Sequence, residues 1–539
     1  MNVAHAFGIG RVPFEGVAAE HPGLLEQLRA FDPLKVATAY AALLTVPDLQ
    51  SNCLRLEALV QLGLAVGAGA RKPQPKHLIR WFADLGKGRC GAFEDPAEDV
   101  FVGLVATPRG NFRILEGIWE SGAFYLQRVI DVVEGMPVGG ELGALRESVY
   151  ALLALSEAVC ARALLSRHEL GHPTPRQSLP VRFANSIDGL RRRVRFSPAD
   201  LDQLGIPADA LRAFTVDPSH RARLLNGSIG HTLLERYPLV WNGGAYHFLL
   251  PTATSAAIRR CVVERVSDLG VGEGFLRAVA DEYSYLIRNT PLLGESSHAP
   301  VQFQWVARRP VASVTTTVDE GRYLNFVFFG DTLDRFSETG LTNPNPDAEE
   351  LGNVVGKFID TSQEKASQEP DFRDGLTIAV GCGIGRAMTI SFERIERARW
   401  RVQFLSAADL ITLSWVPEMS PLFLWQLREA QERLAALSVE LQNANGLLNL
   451  VAWVRSQYGH LVPHAVLPLG FADGNRPKLI VIEQNALRML RHEAVTSWDA
   501  QVVQNTQGEW VKVRKQKLSP FKEDLAKLLY ASEDPTKSR

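Results

Sequence analysis

The sequence is short of cysteine, of net charge and of long apolar runs, and each shortage excludes something. Five cysteines, Cys53, Cys90, Cys160, Cys261 and Cys382, are scattered over 539 residues. An odd, scattered set builds neither a disulfide framework nor a CxxC metal site. It suits a reducing cytosol, so a cytoplasmic protein is expected. The formal net charge is −2, so no bulk field advertises a polyanionic partner, although a local basic patch stays open. The most apolar helix-like run, ESVYALLALSEAVCARALLSRHEL, is interrupted by Glu157 and Arg162. It reads as a buried helix, and no membrane partner is expected. The opening MNVAHAFGIGRVPFEG has no basic segment leading into an apolar core, so no signal peptide is expected. No GxxxxGK[ST] occurs, which excludes a P-loop nucleoside triphosphatase.

What is present is ordinary globular composition, 46% hydrophobic and 22% charged. The length alone suggests about three or four domains. The pattern predicts a multidomain α/β or α+β chain. It has a helical N-terminal part, two hairpin-centred mixed sheets, a helical connector and a small C-terminal α/β part. Residues 1–95 read as helical, with prolines 22, 33 and 47 at helix starts. Residues 96–170 hold AEDVFVGLVA and NFRILEGIW around the turn TPRG, followed by two helices. The proline-punctuated GHPTPRQSLP (171–180) marks a boundary, and 181–298 read as mixed and mostly helical, with Ser197 an N-cap before Pro198. The second sheet block, 299–412, carries VASVTTTV and YLNFVFFG around DEGR. A helical segment at 413–460 starts at Ser420–Pro421 and bears a stripe of Leu424, Leu427, Leu434, Leu437 and Leu441. The last part, 461–539, returns to α/β character, with a hairpin of QVVQN and EWVKVRKQ.

One motif suggests a cofactor. LTIAVGCGIG ends an apolar run in Gly381, Gly383 and Gly385. It resembles the opening loop of class I methyltransferases, which implies a strand, a glycine loop under S-adenosylmethionine, and a helix. Here Ala379 stands where that family places an acid, and MTISFERIERARWRVQFLS alternates at period two, like a strand. The three glycines are therefore expected to form a turn between strands of the second sheet, and the cofactor is unknown. His460 and His464 are four apart, but Pro463 breaks the helix a metal pair would need.

A second pattern suggests a nuclease. The hairpin EDVFVGLVATPRGNFRILEGIWE resembles the core of the PD-(D/E)xK nuclease superfamily. The resemblance implies Asp99 and Glu116 as catalytic carboxylates on a divalent metal, with Glu98 as a stand-in. The lysine position is Ile118. The block SVTTTVDEGRYLNFVFFGDTLD has similar strand order, with Asn325 and Val327 where an acid and a lysine are wanted, and Asp331 and Asp334 just beyond. That sheet reads as a degenerate nuclease-like sheet.

Two basic clusters are candidates for nucleic-acid contact: Arg191, Arg192 and Arg193 in GLRRRVRF, and Lys512, Arg514 and Lys515 in WVKVRKQK. The sequence reading is therefore a cytosolic interaction or scaffold protein associated with nucleic acid or with other proteins. It has no intact catalytic motif, and no enzyme activity is assigned. The alternatives are a metal-dependent nuclease using Asp99 and Glu116, or a methyltransferase using the 381–385 loop.

Overall fold

A computed structural model of the chain describes residues 14–88, 100–117, 122–136, 139–167, 169–171, 176–217, 223–226, 232–279, 302–306, 309–319, 321–329, 348–381, 399–414, 420–436, 440–441, 451, 479–480, 500–504 and 510–514. The architecture is mixed α/β, as the sequence predicts. Helices α1 (Phe14–Glu20), α2 (Pro22–Arg29), α3 (Pro33–Leu43), α4 (Cys53–Val66) and α5 (Pro75–Leu85) build the N-terminal part. Prolines open α2, α3 and α5, where a missing N–H costs nothing. Asp32 caps α3 by accepting from the Lys35 amide at 3.0 Å.

Helix α4 organises this half. Every residue from Cys53 to Leu64 is buried, including Arg55, Glu57 and Gln61. A helix apolar on all sides belongs in the middle of a core, and its few polar side chains need partners there. Arg55 lies over the Phe82 ring at 4.6 Å, and Gln61 donates to the Leu224 carbonyl. Strands β1 (Val102–Thr107) and β2 (Gly110–Leu115) form the hairpin expected around TPRG. Helices α6 (Gly122–Gly135) and α7 (Gly140–Arg162) cover it. Past the connector, short helices at Val181–Asn185 and Ile187–Leu190 lead to β3 (Arg195–Phe196) and α8 (Pro198–Leu204). Ser197 and Asp200 cap α8 reciprocally. Strands β4 (Leu239–Trp241) and β5 (Tyr246–Phe248) join β3 in a three-stranded sheet, and α9 (Thr254–Asp268) follows. One apolar core runs through all these elements, on both sides of the connector 171–180. Arg176 of that connector donates to the Asp48 carbonyl at 3.0 Å and accepts Asn52 Nδ2 on its own carbonyl at 3.1 Å.

The second block is a five-stranded sheet. Strands β6 (Gln302–Val306), β7 (Arg309–Asp319) and β8 (Arg322–Phe329) form an antiparallel meander. Helix α10 (Ala348–Ala366) then carries the chain to β9 (Asp374–Gly381), parallel to β8, and β10 (Trp400–Ser406) is parallel to β9. Gly321 turns the β7–β8 hairpin at φ +80, and a Cβ there would sit 1.8 Å from the Asp371 carbonyl oxygen. Strand β8 reads as one apolar run because it is covered on both faces. Val311, Val327, Phe329 and Ala379 pack on Val355, Phe358 and Ile359 of α10. Leu324, Phe326, Ile378 and Leu405 face the main core, with α11 (Ala407–Ser414) and α12 (Pro421–Ala436).

Strand β9 runs to Gly381, and β10 lies beside it in parallel. Gly383, Gly385 and the turn expected there lie outside the described residues. One expectation is corrected. Helix α12 is described to Ala436, and Leu441 does not continue it. Leu441 belongs instead to β11 (Glu440–Leu441), paired in parallel with β12 (Leu479–Ile480). The C-terminal hairpin is present as β13 (Ala500–Gln504) and β14 (Trp510–Arg514).

Candidate functional site

The sheet register sets a row of polar groups across three strands. Asn325 of β8 lies opposite Thr315 of β7 and Thr377 of β9. Its side chain is fully buried. Asn325 Nδ2 donates to Ser362 Oγ on α10 at 3.0 Å, and Thr315 Oγ1 donates to Asn325 Oδ1 at 3.2 Å. Beside them Trp400 Nε1 donates to Thr377 Oγ1 at 2.8 Å. The Trp400 indole lies over Gly375, where an added Cβ would come within 2.1 Å of the ring. Two residues along β8, Val327 is buried against α10. The positions that a nuclease would fill with an acid and a lysine thus hold a neutral amide and a valine. The amide is tied to hydroxyls, and nothing in the row carries charge to hold a divalent cation. Asp331 and Asp334 lie outside the described residues.

In the first hairpin, Glu116 follows β2 and is 4% exposed. Its two carboxylate oxygens accept the amides of Gly122 and Ala123, each at 2.8 Å. The carboxylate therefore caps α6, where the free N–H groups and the helix dipole favour a negative charge. Asp99, Glu98 and Ile118 lie outside the described residues. Adjacent Gly117 leads to a second carboxyl group, since a Cβ there would meet Glu57 Oε1 at 3.2 Å. Glu57 accepts from Thr252 Oγ1 at 2.6 Å and from Cys53 Sγ at 3.1 Å. Burial pushes its pKa up to about 7, against the partial relief of those two hydrogen bonds. A carboxyl group poised near neutrality can hold or release a proton, which marks Glu57 as a perturbed acid inside the core.

The basic clusters divide. Arg191 pairs with Asp188 at 2.9 Å and donates to the Lys35 carbonyl at 2.6 Å. Arg193 donates to Thr45 Oγ1 at 3.1 Å. Burial pulls both guanidinium pKa values down. Both arginines are committed to packing the 191–194 turn against α3, while Arg192 is exposed. Lys512 and Arg514 lie two apart on β14, across from Val502 and Ala500, and Lys515 lies outside the described residues.

The model of one protein family, described as Anti-phage protein Upx-like, matches residues 5–539. The chain belongs to the Upx-like anti-phage family. No curated protein and no solved structure matches it. Membership in this family makes it a defence-related protein. No helix among the described residues is long and apolar enough to cross a membrane. Among the same residues, no three His, Cys, Asp or Glu side chains converge as metal ligands.

Sequence reasoning passed over Glu57. The signal was partial: Glu57 stands with Arg55 and Gln61 in the otherwise apolar run CLRLEALVQLGLAV. An acid inside such a run must be paired or protonated.

Proposed function

We propose that this Upx-like anti-phage protein works by binding: a cytosolic interaction protein, associated with nucleic acid, whose five-stranded sheet is nuclease-like in strand order and non-catalytic. The observation that carries this reading is the buried Asn325 side chain, held between Thr315 and Ser362 where a metal-binding acid is needed. The engagement of both Glu116 oxygens by the start of α6 supports it at the first hairpin. The test is a binding and cleavage assay on the same purified protein, with labelled DNA and RNA in Mg²⁺ or Mn²⁺. Retention of intact nucleic acid is expected. Metal-dependent cleavage that disappears in Glu116→Gln overturns the reading in favour of a nuclease using Asp99 and Glu116.

One observation favours a second reading. Gly381 closes β9, the middle of three parallel strands, and is level with Phe329 and Ser406 at the ends of its neighbours. Ligands of open α/β sheets bind outside the carboxyl ends of such strands. A ligand loop at 381–385, as in a methyltransferase, predicts saturable binding of S-adenosylmethionine by calorimetry. Absence of heat at millimolar ligand sinks it.

A further inference from the structure

The arginine cluster at 191–193 is only the edge of a larger basic strip, whose other members come from the segment that leads into α5. Arg71 is bridged to Phe31, and its carbonyl accepts the Asp32 amide at 2.9 Å. Asp32 holds Lys35 at 3.4 Å. The Lys35 carbonyl accepts Arg191, and Arg191 shares Asp188 with Lys72, whose Nζ is 2.6 Å from that carboxylate. Beyond Lys72 the chain enters α5, which carries Lys76 and Arg80. Lys35, Arg71, Lys72, Lys76 and Arg80 are all exposed. One continuous surface thus carries these five cations, with Arg191 packed beneath its edge.

The carboxylates along the strip are already used. Asp32 is held by Lys35, Asp188 by Lys72 and Arg191, and Asp84 by Arg80 at 3.6 Å. Among the described residues Arg71 and Lys76 have no ion-pair partner. The imidazole of His77 senses the resulting field. Its pKa is lowered by burial first, and then by Lys76, Arg71 and Arg80. With a formal net charge of −2 for the whole chain, this positive potential is local to the strip.

We propose that the strip of Arg71, Lys72, Lys76 and Arg80, continued by Lys35, is the surface on which this protein holds a nucleic-acid phosphodiester backbone. This inference rests on the nucleic-acid reading above and gives it a location. Arg71 and Lys76, on flexible stems along one exposed line, suit successive phosphates, the Arg71 guanidinium able to take two oxygens, and the paired cations beside them add to the field. The rings beneath do not offer a base-stacking platform. Phe31 and Trp81 are buried and pack edge to face at 4.9 Å, with His77 stacked on Trp81. Contacts of this kind fix position and carry little sequence information.

The test is fluorescence anisotropy of the full chain with labelled duplex DNA, single-stranded DNA and RNA, between 50 and 250 mM salt. Phosphate contacts by the two cations without ion-pair partners predict a slope of log K against log salt of about −2 for duplex DNA. The variant R71A/K76A removes the two unpaired cations and leaves the ion pairs intact. It should flatten the slope by about 2 and weaken binding at least about tenfold at 100 mM salt. The variant K512A/R514A should leave binding unchanged. Unaltered binding by R71A/K76A, or loss only in K512A/R514A, overturns the location while nucleic-acid binding itself stands. No binding of any of the three polymers at 50 mM salt overturns both.

Discussion

Replacing Glu57 with glutamine should make the protein more stable at alkaline pH and no more stable at acid pH. Glutamine keeps the shape and the carbonyl that accepts from Thr252 and Cys53, and it removes the ionisation. The Glu57 carboxyl titrates near 4.5 in the unfolded chain and at about 7 in the fold, because burial penalises the anion more than two hydrogen bonds relieve it. The folded state therefore holds a proton that the unfolded state has released. The neutral carboxyl contributes fully below about pH 4.5, and its contribution is lost as pH rises towards 7. At about 1.4 kcal/mol per pH unit, the full penalty above pH 7 is about 3 kcal/mol, an upper figure for a group whose surroundings relax. Urea denaturation of wild type and Glu57→Gln, followed by circular dichroism from pH 5 to 8.5, measures it. The wild-type midpoint should fall through this window, and the variant midpoint should stay flatter and higher at pH 8. Two curves that run parallel throughout refute the reasoning, since the carboxyl then titrates alike in both states.

Three further outcomes are expected. Gly375→Ala should destabilise the second sheet by about 2 kcal/mol or more, since its methyl group drives into the Trp400 indole; a reduced melting temperature with loss of tryptophan emission change on unfolding reports it. Glu116→Ala leaves the two amides at the start of α6 without acceptors and should cost about 2–4 kcal/mol in denaturant stability, with Glu116→Gln near half of that; a neutral Glu116→Ala removes the capping account. The six-part division at 95, 170, 298, 412 and 460 is offered as a proposal for limited proteolysis. Because Arg176 is anchored to Asp48 and Asn52, cleavage in 171–180 should be slower than cleavage nearer the C-terminus, and rapid cleavage there first contradicts that anchoring.

Local signals were legible in the sequence, and pairings between distant residues were not. Ser197 before Pro198, Ser420 before Pro421 and the glycine of DEGR each act within a few residues, and the chain obeys them. The alternation of Trp400, Val402 and Phe404 correctly marked a strand. It could not mark the direction of its partner, because parallel and antiparallel neighbours impose the same period of two. Helix α12 was overextended for a related reason: the leucine stripe continues to Leu441, but pairing with Leu479 and Ile480 takes the chain out of helix. For the candidate site, Asn325 and Val327 were visible as departures from a nuclease pattern. The clasp of Ser362 and Thr315 on Asn325 was not, since α10 is 37 residues away in sequence. Likewise the basic run at 191–193 was conspicuous, while Arg71 and Lys76 join it only through folding.

The burial of α4 on every side has a consequence for how the chain is made. The Thr252 hydroxyl that closes over Glu57 lies 195 residues downstream. At ribosomal rates of about 5–20 residues per second, α4 leaves the ribosome some 10–40 seconds before that partner exists. During this interval α4 can pack on α3 and α5 but lacks the cover that the later elements supply. Nascent chains of this protein should therefore lean on chaperones until the segment around Thr252 has emerged and α4 is covered on every side.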